Sequence, residues 1–240
     1  MRINKELCIN CGLCINYCSV EAIVEEEGQV KIIEDECTEC SACLRAEVCP
    51  RDALFQPPID QIRYWRALYS DTLIPFPDTG VAGRGTDEVK TSDVTGKFKR
   101  GHVGFGIEVG RPGVGTRFSE VEKISKALAP LEVIFEKDNP TTALIDKKTG
   151  AIRKDIINEK VVSVIIEFAV PQKKVRDIMA VLEKVSGEID TVFALELAQR
   201  TEEDGSVPMI KELEELGYHP RENGKVCIGL GRPVQNKEVK

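Results

Sequence analysis

The stretch CINCGLCINYC, residues 8–18, places four cysteines within eleven residues. Four thiolates are what a 4Fe-4S cluster or a structural zinc ion requires, so this run alone would be a complete metal site. A second run, CTECSACLRAEVC at residues 37–49, repeats the spacing of the first three cysteines. Related pentapeptides follow the two runs, SVEAI at 19–23 and PRDAL at 50–54. The two runs therefore form an internal duplication, and their sites have to be considered together.

The spacing within each run favours iron-sulfur clusters over other cysteine chemistry. Three thiolates separated by two residues can surround one side of a cubane, whereas the fourth begins the next helical turn and points toward the other cluster. Zinc usually takes widely separated C-x2-C pairs, often with histidine, and disulfides are typical of oxidising compartments. Both alternatives explain the repeated triplets less well.

Residues 1–57, here called the head, resemble bacterial dicluster ferredoxins in cysteine spacing, in the Cys49–Pro50 step and in acidic composition. The resemblance implies two 4Fe-4S clusters. It assigns the first cluster to Cys8, Cys11, Cys14 and Cys49, and the second to Cys37, Cys40, Cys43 and Cys18. Two features depart from the family pattern: Ser19 replaces the usual proline, and two extra residues before Cys49 predict a bulge beside the first cluster.

Charge is concentrated in the head, which has five basic and eleven acidic side chains in a chain of net charge -7. An acidic head argues against nucleic-acid binding and favours a redox partner with a positive face, although the carboxylates also suit a solvated surface. No apolar run reaches the length of a signal peptide or the roughly 18 residues of a membrane span. We therefore expect a cytoplasmic protein without a membrane span, in an anaerobe or a similarly protected cytosol.

The paired prolines of QPPID (56–60) predict a boundary at residue 57. Apolar residues at helical intervals behind Asp60 predict a linker helix, followed by a loop, within residues 58–79. Residues 80–240, here called the body, would form the larger domain.

Repeated strand and helix patterns organise the body. The phrases IEVGRP (107–112) and IEFAVP (166–171) share a frame, and a helix and a further strand follow each of them. This predicts two βαβ repeats, at about 102–137 and 161–198, in an α+β sandwich with helices on one face of a sheet. A ferredoxin-like or ACT-like double unit is the topology that we expect.

Residues 80–117 hold ten of the nineteen glycines, with seven basic and four acidic side chains. Arg84, Arg111 and Arg117 are candidates for binding a small anionic ligand, because glycine-rich loops can direct backbone N–H groups at an anion. Tight turns and close backbone packing are the structural alternative. In HVGFGIEV (102–109) one strand face is nearly bare, and His102 and Glu108 on that face are candidates for catalytic proton transfer.

Together these patterns predict an electron-transfer protein, more plausibly a subunit of an oxidoreductase than a stand-alone enzyme, that relays single electrons to a site in its body or in a redox partner. One alternative is a self-contained oxidoreductase with an anionic substrate at the glycine- and arginine-rich region. Another is a ligand-sensing or sulfur-transfer accessory protein, in which Cys227 would be reactive rather than a small buried hydrophobe. An oligomer is compatible with each.

Overall fold

The computed structural model describes residues 1–82, 98–111 and 113–219. The anion-binding candidate Arg84 and the cysteine Cys227 lie outside the described residues. Among the described residues, no helix combines the length and the apolar character that crossing a bilayer requires.

The head is built from short elements joined by long cysteine-bearing loops. Its strands are β1 (Arg2–Ile3), β2 (Ile23–Glu26), β3 (Gln29–Ile32) and β4 (Leu54–Phe55), and its helix is α1 (Ala42–Arg45). β2 and β3 form an antiparallel hairpin, while β1 pairs with β4 and thereby joins the two ends of the head. Val30 of β3 points inward and is 7% exposed, whereas its neighbours Gln29 and Lys31 are exposed, which is the alternation of a half-buried strand.

The backbone of the head repeats with the sequence duplication. Left-handed conformations occur at Asn10 and Glu39, the residues before the second cysteine of each run, with φ of 55° and 57°. They recur at Gly12 and Ser41, directly after that cysteine, with φ of 72° and 56°. Such values are uncommon for residues other than glycine, so their recurrence shows that both cysteine loops follow one path.

A helix connects the head to the body. Helix α2 (Gln61–Leu68) begins behind Asp60, whose side chain accepts a hydrogen bond from the backbone N–H of Arg63 at 2.7 Å. The turn that follows α2 is buried, and the ring of Tyr69 packs edge-on against Phe76 and Phe118, with ring centroids 5.1 and 5.3 Å apart. The connection between head and body is therefore part of the core.

The body contains a four-stranded antiparallel sheet. Its strands and helices, in chain order, are β5 (His102–Val109), β6 (Thr116–Arg117), α3 (Phe118–Leu128), β7 (Ile134–Phe135), α4 (Pro140–Leu144), β8 (Lys160–Val161), β9 (Val164–Pro171), α5 (Val175–Ser186), β10 (Phe193–Ala198) and α6 (Pro208–Glu215). The sheet order is β10-β5-β9-β7, and β6 and β8 form a separate antiparallel pair.

The two strand-helix-strand units of the body interleave. In β5-α3-β7 and in β9-α5-β10, a strand of the other unit lies between the two strands of each unit. Phe105 of β5 is paired with Phe168 of β9, and their rings stack at 5.0 Å in a core shared with α3 and α5. The mixed α+β class that the sequence predicts is confirmed.

Candidate metal centres

Two cavities in the head are each lined by four cysteines. The first cavity is lined by Cys8, Cys11, Cys14 and Cys49. The second is lined by Cys18, Cys37, Cys40 and Cys43. Each cavity thus combines three cysteines of one run with the fourth cysteine of the other run.

Electrostatic interactions follow the same grouping. Burial, followed by the proximity of Cys40, Cys37 and Cys18, raises the pKa of the Cys43 thiol to about 11. In the first cavity burial is the main cause that raises the pKa of Cys14, and Cys8, Cys11 and Cys49 add to it. Four thiolates in so small a space repel one another, so the sites favour a cation that neutralises them.

Peptide N–H groups stabilise the fourth cysteine of each run. The N–H of Ala22 donates to Cys18 Sγ at 3.1 Å, and the N–H of Ala53 donates to Cys49 Sγ at 3.2 Å. Ala22 and Ala53 occupy matching positions in the pentapeptides SVEAI and PRDAL. The duplicated pentapeptides therefore supply equivalent donors to sulfur, and such donors orient metal ligands and tune their charge.

The two cavities differ in their exposure. Beside the first cavity, Ile9 and Leu13 are 60% and 50% exposed, and Cys11 is exposed as well. In the second cavity Cys37 and Cys43 are buried. The cysteines of the first cavity are therefore more exposed than those of the second.

The residues of both cavities fit 4Fe-4S clusters. Each cavity presents four sulfur donors, and its walls include apolar side chains such as Val30 in the first cavity and Ile23 in the second. In the second cavity the hydroxyl Oγ1 of Thr38 is buried and finds no hydrogen-bond partner among the described residues. A sulfur-rich group in that space would give this hydroxyl an acceptor.

Helix α2 of the linker connects the body to the segments that surround the second cavity. Arg66 of α2 is 4% exposed, and its Nη1 donates to the carbonyl oxygens of Glu34 at 2.9 Å, Asp35 at 3.1 Å and Cys37 at 2.9 Å. The same guanidinium forms an ion pair with Glu159 of the body.

A second link involves Arg45, which donates to the carbonyl oxygen of Cys40 at 2.8 Å and forms an ion pair with Asp71 at 2.8 Å. The second cavity thus lies beside the junction of head and body.

The two anion-binding candidates among the described residues, Arg111 and Arg117, are paired with carboxylates. Arg111 lies 3.3 Å from Glu108, and Arg117 donates to Glu36 of the head at 2.6 Å and to the carbonyl oxygen of Asn158 at 2.7 Å. Glu36 also accepts from Lys160 at 2.5 Å. Arg117 thus links the body to the head, and its role as an anion ligand stays a prediction.

Two glycines of the same region allow close packing. A Cβ at Gly104 would lie 2.3 Å from the ring of Phe98, so the bare strand face receives this ring. A Cβ at Gly115 would lie 3.1 Å from Val20 of the head. Close packing, the structural alternative, accounts for both positions.

The structure does not bring the two proton-transfer candidates together. His102 and Glu108 lie near opposite ends of β5, and six residue steps of extended chain place their Cα atoms about 20 Å apart. The two side chains therefore do not share one site, and a catalytic role for either of them stays a prediction.

Residues with contacts to the second cavity were missed from the sequence. Glu39 is 2% exposed and accepts from Arg63 Nε at 2.9 Å, and Arg66 and Thr38 were not singled out either. Arg63 and Arg66 belong to helix α2, which packs on the head, and no local sequence spacing reveals that contact. For Thr38 a signal existed, because it occupies a position between two cysteines of the second run.

Comparison with known proteins identifies the head alone. Residues 1–55 match the family of 4Fe-4S dicluster domains. The chain is 40% identical over 57 residues to the pyruvate synthase subunit PorD of Thermotoga maritima, which covers 23% of this chain and 56% of that protein. It is 36% identical over 70 residues to a ferredoxin of Streptomyces griseus, which covers 29% of this chain and 64% of that protein.

The chain thus spans less than two thirds of the length of these curated relatives. No solved structure matches. The family match and the two relatives confirm the resemblance of the head and its cofactors. The head of this chain is a dicluster ferredoxin domain, and it carries two 4Fe-4S clusters.

Proposed function

We propose that this protein is an electron-transfer subunit that relays single electrons between a redox partner and the body, or a second partner, through the two clusters of its head. The observation that carries the proposal is the pair of four-cysteine cavities, one with the more exposed cysteines and one beside the junction with the body. A 4Fe-4S cluster supplies one-electron chemistry at a potential that its protein surroundings set.

Each centre takes three ligands from one run and one from the other in this proposal. Cys8, Cys11, Cys14 and Cys49 hold the first cluster, and Cys37, Cys40, Cys43 and Cys18 hold the second. The lining of the two cavities and the mutual effects on the pKa of Cys14 and of Cys43 support this set. The chain's own residues exclude water from the second centre and orient its thiolates.

The first centre exchanges electrons with a partner in this relay. Its exposed Cys11, Ile9 and Leu13 support that role, because a short distance to the surface favours transfer to a docked protein. The acidic head favours a partner with a positive face. The Thermotoga maritima relative is named as a subunit of pyruvate synthase, and we propose that this chain also acts with an oxidoreductase partner in the cytoplasm.

The proposed domains are the head at residues 1–57, the linker at 58–79 and the body at 80–240. The interleaved order β10-β5-β9-β7 supports a ferredoxin-like body, since that double unit places each strand beside a strand of the other unit. This fold alone specifies no chemistry for the body.

Anaerobic isolation tests the proposal directly. We expect brown protein with about eight iron atoms per chain, because each 4Fe-4S cluster contains about four. The clusters should be reduced by a strong reductant and reoxidised by an electron acceptor. Colourless protein loaded with zinc would contradict the proposal.

Removal of single ligands tests the assignment. Cys18→Ala should damage the second cluster and leave the first spectroscopically intact, whereas Cys49→Ala should do the reverse. Ser19→Ala, beside Cys18, serves as the matched control and should keep both clusters. Loss of the same cluster in both cysteine variants would show that the assignment is wrong.

A further inference from the structure

The hydroxyl of Thr38 is a buried hydrogen-bonding group without a protein partner. Thr38 is 1% exposed and lines the second cavity, and its Oγ1 has no hydrogen-bond partner within residues 1–82, 98–111 and 113–219. Native proteins almost always satisfy buried hydroxyl groups, because desolvation without a partner costs stability. Its burial also keeps this hydroxyl from bulk water, so the space next to it should hold an acceptor.

The duplication of the head shows that this donor is specific to one centre. Thr38 follows the first cysteine of the second run, and Ile9 follows the first cysteine of the first run. Isoleucine has no side-chain donor, and Ile9 is 60% exposed. The two loops share their backbone path, so the side chain at this position distinguishes two otherwise similar centres.

We propose that the Thr38 hydroxyl donates a hydrogen bond to a sulfur atom of the second centre and thereby raises its midpoint potential. The inference rests on the proposed ligand set. Reduction adds one electron to the cluster and increases the negative charge on its sulfur atoms. A hydrogen-bond donor therefore stabilises the reduced form more than the oxidised form, and such donors are among the means by which proteins set cluster potentials.

The test is a redox titration of the full chain with both clusters bound, followed by electron paramagnetic resonance. The signal that Cys18→Ala removes identifies the second centre. Thr38→Val deletes the hydroxyl at nearly constant shape and should lower the potential of the second centre alone. Thr38→Ser keeps the donor and should stay closer to the wild-type value, while Thr201→Val, on the exposed surface of the body, should shift neither centre.

Iron content and unfolding temperature are measured for every variant, so that a potential shift is distinguished from cluster damage. If Thr38→Val loses iron, Thr38→Ala is measured instead, and the potential of the second centre should again be lower than in wild type. The inference would be overturned if a Thr38 variant that retains both clusters had unchanged potentials, or if both centres shifted equally. Neither result would contradict the proposed electron-transfer function. Wild-type protein without two clusters would instead overturn the proposed function.

Discussion

Arg66 joins parts of the chain that are far apart in sequence. Its guanidinium contacts three carbonyl oxygens of the head, including that of Cys37, and pairs with Glu159, which is 93 residues away. Both partners of the pair are largely removed from water, with side-chain exposures of 5% and 15%. Buried charges are costly when they lose a partner, so removal of Arg66 alone should be strongly destabilising.

Arg66→Met should destabilise the protein by about 3 kcal/mol, because Glu159 loses its counter-charge and three carbonyl oxygens lose a donor. Urea unfolding under anaerobic conditions measures the change. Arg2→Met is the control, since its pair with Glu34 is exposed, and it should cost about 1 kcal/mol or less. Equal effects of the two substitutions would show that Arg66 is not a structural link.

The role of a single residue can be predicted from the sequence when its partners lie close to it in the chain. The cysteines are recognisable because three of the four in each proposed set lie two residues apart from one another, a spacing that is typical of cubane ligands. Arg117 is a candidate anion ligand by sequence, because its own neighbourhood is basic and rich in glycine. Its carboxylate partner, Glu36, lies 81 residues earlier in the chain, and no short-range pattern connects the two.

Among the elements of the body, helix α3 depends on close contact with the turn at residues 146–150. Ser125 Oγ of α3 donates to the carbonyl oxygen of Gly150 at 2.5 Å. Gly150 has φ of 75°, and a Cβ there would lie 2.4 Å from backbone atoms of α3. Only glycine fits this approach.

Gly150→Ala should therefore destabilise the protein by about 3 kcal/mol, through a left-handed backbone with a Cβ and through overpacking against α3. Thermal unfolding measures the effect. Gly205→Ala is matched in backbone conformation, with φ of 82°, but its Cβ would meet nothing within 4 Å. We expect about 1 kcal/mol for this control. If Gly150→Ala cost no more stability than the control Gly205→Ala, close packing at Gly150 would be disproved.

Elements were predictable where one periodicity extends over several residues. The alternating Val103, Phe105, Ile107 and Val109 indicate a strand, and the structure has β5 there. Only the repeated strand-helix-strand frame pointed to a double unit. Alternation within a strand did not predict the order of strands in the sheet, because it specifies which face is buried and leaves the neighbouring strand open. For the same reason the glycines of β5 suggested a ligand, whereas the ring of Phe98 occupies the space beside Gly104.

For the whole molecule, a cluster of charges around Glu36 contributes to the stability of the contact between head and body. Glu36 of the head accepts from both Arg117 and Lys160 of the body, at 2.6 and 2.5 Å. A hydrogen bond from Lys160 is the main cause that lowers the pKa of the Glu36 carboxyl below its ordinary value. The carboxylate therefore stays ionised, and its attraction to both cations contributes to the docking of the head.

Glu36→Gln should lower the unfolding temperature at low ionic strength, and the difference from wild type should shrink as salt screens the exposed part of the junction. Differential scanning calorimetry at two salt concentrations makes the measurement. Glu26→Gln removes the same charge from a pair within the head hairpin, where Lys31 is its partner, and should have a small effect. The proposed role fails if both substitutions behave alike at both salt concentrations.

The exchange of the fourth cysteines between the two cavities also determines how the head is assembled. Neither run closes a site of its own, because Cys18 and Cys49 each line the cavity of the opposite run. Insertion of cofactor at either cavity therefore requires both loops to be in place. On the proposed ligand set, we expect that the head does not divide into two single-cluster peptides and that it matures in one cooperative event, in which cofactor capture and chain folding are the same step.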